Sequence, residues 1–207
     1  MTLTRRVLIT LATATALSGP SWAQEATEAA TPEEIQDFAL GAEDAPVTMI
    51  EYASFTCPHC ANFHGDQFKK LKEAYIDTGK LRFIHREVYF DRYGLWGSAI
   101  ARCAGPVAYH GIVGKIYETQ KEWTRVGSDA AVIEELRNIG KLAGLTDDQL
   151  DGCLNNEENL RNLLGWYQEN AKRDNIRSTP TLMINGTQHE NASFEALAKI
   201  IDAELGQ

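Results

Sequence analysis

Cys57 and Cys60 are separated by Pro58 and His59, and two thiols at this spacing can do one of two kinds of chemistry. They exchange disulfides when one sulfur is held as a thiolate and the other lies close enough to resolve a mixed disulfide. They ligate a metal when further Cys or His residues complete the set. Val47 to Ala53 is a β-rich run that predicts a central strand, and Pro58 to Tyr75 places Cys60, Phe63, Phe68, Leu71 and Tyr75 on one broad helical face. Cys57 therefore falls where a strand hands over to a helix, beside unpaired backbone N–H groups that stabilise a negative sulfur. Cys60, one turn on, falls on the buried face as the resolving thiol. His59, as a hydrogen-bond donor or partial cation, favours the Cys57 thiolate further. The metal reading adds His64 on the same face, so that Cys57, Cys60 and His64 supply three ligands, but no second closely spaced Cys or His pair completes a structural site. His64 otherwise reads as a hydrogen-bonded, partly buried side chain.

Three further residues bear on this pair. Glu51 lies in the same apolar strand that leads to Cys57, where an isolated carboxylate is costly, and strand alternation leaves open which face it takes. Cys103 and Cys153 are too far apart for a local motif. They can pair as a structural disulfide, remain two buried thiols, or form a regulatory pair, and in an exported chain the structural bond is favoured.

Export is read from the amino terminus. Arg5 and Arg6 precede an apolar run from Val7 to Leu17, a Gly19-Pro20 break and small residues at Ser21 and Ala23, the pattern of a signal segment over residues 1–23, cleaved after Ala23. The paired arginines also fit a twin-arginine route, so the export route stays open. The apolar run is short of the roughly 20 residues that span a bilayer. Residues 24–34 read as a flexible leader, with Thr31-Pro32-Glu33-Glu34 in the form of a capping box. The net charge of −9, with no block of Lys or Arg outside the signal, argues against nucleic acid as a partner.

The elements that must hold the dithiol follow from periodicity. A short strand is expected near residues 35–40, a turn over Gly41 to Pro46, and a second long strand from Leu81 to Val88, followed by a polar, glycine-bearing loop from Asp91 to Gly97. Residues 95–174 read as helical throughout, with Val132, Ile133, Leu136, Ile139 and Leu142 as one apolar stripe and a capping box at Thr146 to Gln149. Thr181 to Ile184 returns to a strand ending in the Asn185-Gly186 turn, Thr187 to Glu190 is its partner, and a last helix runs from Ser193 to Leu205. The expected order is βαβ, helices, then ββα: a core in two halves, 35–94 and 175–207, around a helical insertion.

The segment from Glu51 to His64, Glu51-Tyr52-Ala53-Ser54-Phe55-Thr56-Cys57-Pro58-His59-Cys60-Ala61-Asn62-Phe63-His64, resembles the active-site segment of the DsbA-like family of thioredoxin-fold proteins. Ser178-Thr179-Pro180-Thr181 with Ile184-Asn185-Gly186 resembles that family's second signature, the cis-proline loop and its strand. The resemblance implies an α/β thioredoxin-like fold with an inserted all-helical domain and a thiol:disulfide oxidoreductase without a cofactor. It implies that Cys57 and Cys60 react, that Thr179-Pro180 is cis and presents backbone to an extended substrate, and that Glu51 accepts the proton of the resolving thiol. Unfolded exported proteins would be the substrates in a periplasm, Phe55 and Trp96 apolar contacts for them, a DsbB-like membrane quinone reductase the reoxidant, and the protein a monomer. Thr179 departs from the valine of the best-known strong oxidase and matches the disulfide isomerases, which keeps an isomerase or reductase with the same site as the rival reading.

Overall fold

Met49, Tyr52 and Ala53 have no exposed surface, because the strand that carries them is central and covered on both faces. This strand, β2 (Val47–Ala53), pairs in parallel with β3 (Leu81–Glu87) and antiparallel with β4 (Thr181–Ile184). The two-residue β1 (Ala39–Leu40) and the hairpin strand β5 (Thr187–Glu190) form the edges, giving the order β1-β3-β2-β4-β5. These relations come from a computed structural model that describes residues 35–206. The expected signal segment and leader, with the Thr31 capping box, lie outside the described residues.

Between β2 and β3 the chain forms α1 (Pro58–Gly65), α2 (Gln67–Leu71) and a π-helical turn over Lys72–Ile76. The single helix expected from Pro58 to Tyr75 is thus interrupted. Asp66 leaves helical geometry at φ −128° and ψ −75°, and its N–H is shared between the carbonyls of Asn62 and Phe63. The apolar face continues across the break, which is why periodicity alone did not reveal it.

Between β3 and β4 lie α3 (Arg92–Cys103), α4 (Gly105–Glu118), α5 (Gln120–Trp123), α6 (Asp129–Leu142), α7 (Asp147–Leu154) and α8 (Glu157–Arg173). The loop expected from Asp91 to Gly97 is instead the start of α3. Asp91 caps it by accepting the Gly94 N–H at 2.9 Å, and the glycines serve close packing: a Cβ on Gly97 would come within 3.1 Å of the Phe55 ring. Two other expectations are corrected. The strand near 35–40 is ordered as β only at Ala39–Leu40, and Leu142, placed in the α6 stripe, is 76% exposed. The Thr146 capping box is present with both of its reciprocal bonds, and α9 (Phe194–Glu204), capped by Ser193, closes the chain.

Two apolar clusters result. One joins Val47, Phe63, Phe83, Leu182 and α9 residues around the sheet, and the other joins Phe55, Cys57 and Cys60 to Tyr109, Ile116, Trp123 and Leu136 of the helices. The dithiol therefore sits where the helical layer meets the strand ends. Cys103 of α3 and Cys153 of α7 are bonded to each other. Among the described residues no helix is long and apolar enough to cross a membrane.

Candidate active site

Cys57 is the N-cap of α1, with extended φ and ψ of −83° and 117°, and Pro58 follows as the first helical residue, where its missing N–H costs nothing. The Cys57 N–H donates to Ser54 O at 3.0 Å, which closes the turn out of β2. Cys57 is 7% exposed and Cys60 is fully buried, while Pro58 and His59 are exposed. Both thiols are free, so this is the reduced site.

The two sulfurs differ in electrostatics. The hydrogen bond from Cys60 lowers the Cys57 pKa to about 5, assisted by Thr179 and by the backbone N–H groups of Cys60 and His59, against the opposing effect of burial. Burial pushes the Cys60 thiol far up, and the hydrogen bond to Cys57 and the charge of Glu51 push the same way. His59 acts on Cys57 through its backbone at the helix N-terminus.

The Thr179-Pro180 bond is cis. Thr179 is half-buried, and its carbonyl lies 3.5 Å from Cys57 Sγ, so a loop from the second half of the chain closes over that sulfur. Gln120 of α5 braces the other side: its Nε2 donates to Phe55 O at 2.8 Å and to Cys57 O at 2.9 Å. Nothing in the sequence marked Gln120, because its partners are backbone atoms some sixty residues earlier.

Glu51 faces inward and is fully buried, so the solvent-facing alternative falls. Its Oε2 lies 2.7 Å from His64 Nε2. Beside this pair is His85 of β3, whose Nδ1 and Nε2 are 2.9 Å and 3.0 Å from the hydroxyls of Tyr109 and Tyr117. Among the described residues, the group with ligand atoms close enough to share a metal is Glu51, His64 and His85, within 4.8 Å of one another, and it contains neither cysteine. The rival metal set of Cys57, Cys60 and His64 is not assembled, because His64 turns to Glu51.

Two expected substrate contacts separate. Phe55 is 1% exposed, with its ring 5.3 Å from that of His85 and 5.2 Å from that of Tyr117, so it packs the interior and cannot meet a passing chain. Trp96 is half-buried beside Tyr93, with the Arg92 guanidinium 5.8 Å from its ring.

A thioredoxin family model matches residues 33–203. A Rickettsia bellii protein named for protein-disulfide oxidoreductase activity is 33% identical over 173 residues, covering 82% of this chain and 64% of that one. Disulfide bond formation protein D of Bacillus subtilis is 26% identical over 178 residues, covering 80% and 76%. The crystal structure of Wolbachia pipientis alpha-DsbA1 superposes with a TM-score of 0.76 at 28% identity, covering 83% of this chain and 92% of that one. The chain spans less than two thirds of the length of three Rickettsia relatives, at 64%, 61% and 62%. Strand order, dithiol, cis-proline loop and similarities agree that the chain belongs to the DsbA-like family of thioredoxin-fold proteins, with a helical insertion in the thioredoxin fold.

Proposed function

We propose that this protein donates its Cys57–Cys60 disulfide to unfolded exported proteins. The observation that carries the reading is the unequal setting of the two sulfurs: Cys57 at the surface edge of a helix N-terminus under Thr179 O, and Cys60 sealed beneath it. A substrate thiolate attacks Cys57 Sγ, the Cys57–Cys60 bond breaks, and its electron pair stays on the Cys60 sulfur, which takes up a proton. A second substrate thiolate then attacks the substrate sulfur of the mixed disulfide and releases Cys57 as a stable thiolate. Thr179 and Pro180 offer a backbone edge to the extended chain, and Trp96 is the apolar contact that remains available. The periplasm is the compartment this chemistry fits, a DsbB-like membrane quinone reductase the reoxidant, and a monomer the working form.

Redox equilibrium with glutathione tests the direction. A stabilised Cys57 thiolate favours the reduced form, so the potential should lie nearer the about −120 mV of DsbA than the about −270 mV of thioredoxin. A value near thioredoxin's excludes the oxidase. The isomerase or reductase reading draws on Thr179, and its signature is faster repair of scrambled disulfides than oxidation of reduced substrates.

A further inference from the structure

Behind the dithiol the interior holds two ionisable side chains that exchange at Cys57 never touches. Glu51 of β2 is fully buried, His64 of α1 is 6% exposed, and Oε2 and Nε2 are 2.7 Å apart. Glu51 Oε1 and His64 Nδ1 are both buried with no hydrogen-bond partner among the described residues. An unsatisfied buried polar atom is costly, and two in one pair mark a place where the fold sacrifices stability.

Their surroundings give the pair a direction. Cys60 and His64 are one turn apart and both buried on α1, so Glu51, held by His64, lies on the side of the helix that carries the sealed thiol. His64 lines a cavity of about 590 Å³ between α1–α2 and α4–α5, where the charged groups are Lys69, Lys115, Glu118 and Lys121. The Tyr117 ring stacks on His64 at 4.2 Å and lines the same cavity. The route deeper into the protein is closed, because both nitrogens of His85, 5.7 Å from His64 ring to ring, are taken by Tyr109 and Tyr117.

We infer that His64 passes the Cys60 proton between Glu51 and water in the α1–α4 cavity, so that the sealed thiol is protonated and deprotonated from behind. The inference rests on Cys57–Cys60 being the exchanging pair and holds for either direction of electron flow. When the disulfide is reduced, the sulfur–sulfur electron pair stays on Cys60, which takes the proton of the Glu51 carboxyl. Glu51 Oε2 is reprotonated from His64 Nε2, and the buried Nδ1, which no protein group satisfies, regains a proton from a water admitted from the cavity that His64 lines. On reoxidation each transfer reverses, leaving Cys60 a thiolate able to attack the mixed disulfide. An imidazole suits this step because its two nitrogens can accept on one side while donating on the other. His64 touches neither substrate nor sulfur and acts through Glu51.

The test loads glutathione onto Cys57 as a mixed disulfide and follows its release by Cys60 in the full chain. His64→Gln keeps a hydrogen bond to Glu51 but cannot relay a proton, and we expect release to slow at least tenfold, short of the about 100-fold that a positioned acid or base can give, because solvent supplies a slower bypass. His64→Ala should be slowed similarly and regain rate when imidazole is added, since the cavity is large enough to admit it. A His64→Gln protein that releases glutathione at the wild-type rate overturns the relay. So does a folded His64→Ala protein that is slow and unmoved by imidazole. If His64→Ala does not fold, the glutamine variant decides alone. Failure of the wild type to form or resolve the mixed disulfide would instead strike the assignment of Cys57 and Cys60.

Discussion

Cys57 and Cys60 are chemically the same group placed in opposite fields, and the difference between them is made by single residues. Cys57 should titrate at about 5, which ultraviolet thiolate absorbance of the reduced protein reads directly; a midpoint near that of free cysteine would remove the basis for an oxidant. Alkylation at mildly acidic pH should mark Cys57 alone, because Cys60 is buried and its pKa is pushed up, and Cys57→Ser should abolish exchange. These residues were legible in the sequence because the chemistry demands their types at their spacing. Glu51 was legible as a costly carboxylate in an apolar strand, but its partner was not: His64 entered as a third metal ligand or a plain core histidine, and only the packing of α1 on β2 turns it to the acid. Gln120 was invisible, since an amide that pairs with distant backbone carbonyls leaves no pattern. Gln120→Ala would strand the carbonyl of Phe55 and leave Cys57 O with the Ala61 N–H alone, so chemical denaturation should show a loss of about 1–3 kcal/mol, and the loop carrying Cys57 should lose protection from hydrogen exchange.

Elements were read well where one periodicity governs and poorly where glycine does two jobs. The strands over Val47–Ala53 and Thr181–Ile184, the Asn185-Gly186 turn with positive φ at both residues, and the capped helix at Thr146 all carry local signals. Asp91 to Gly97 suggested a loop because Gly94 and Gly97 usually break helices, yet there they let α3 approach Ser54 and Phe55. Gly140 has the same use in α6, where an added Cβ would lie 2.7 Å from Leu150 Cδ2 and 3.2 Å from Ile100 Cγ2. Gly140→Ala should gain up to about 1 kcal/mol of helix propensity and lose about 1–3 kcal/mol to overpacking, a net loss visible as a lower urea midpoint. The bond between Cys103 and Cys153 ties α3 to α7 across a separation of 50 residues. A loop of that length constrains the unfolded chain by between about 3 and about 4.7 kcal/mol, so replacing both cysteines with alanine should lower stability by that order while the Cys57–Cys60 pair still exchanges.

At the scale of the whole molecule, oxidising power and folding stability are the same quantity measured in two ways. Reduction frees Cys57 as a thiolate whose pKa falls from an ordinary 9.0 to about 5 in the folded protein. Between those values the folded reduced protein holds a thiolate where its unfolded chain holds a thiol, so the unfolded state binds more protons and stability rises with pH. The oxidised protein has no such group. Cys60 does not offset this in the window, because its pKa is raised and both states hold it as a thiol until pH approaches 9.0. The reduced protein should therefore gain stability over the oxidised one as pH rises from about 5 towards 9; the gain is largest as pH nears 9, erodes above it as Cys60 ionises in the unfolded chain alone, and is lost as pH falls through about 5. Urea unfolding of both redox forms at several pH values reads this difference, and the other titrating groups cancel between the two curves. A gap that stays constant across the window would place the source of the redox bias outside the Cys57 thiolate. A gap that opens with pH, and shrinks when the first turn of α1 beside Cys57 is loosened by Pro58→Gly, would locate it in the join of strand and helix.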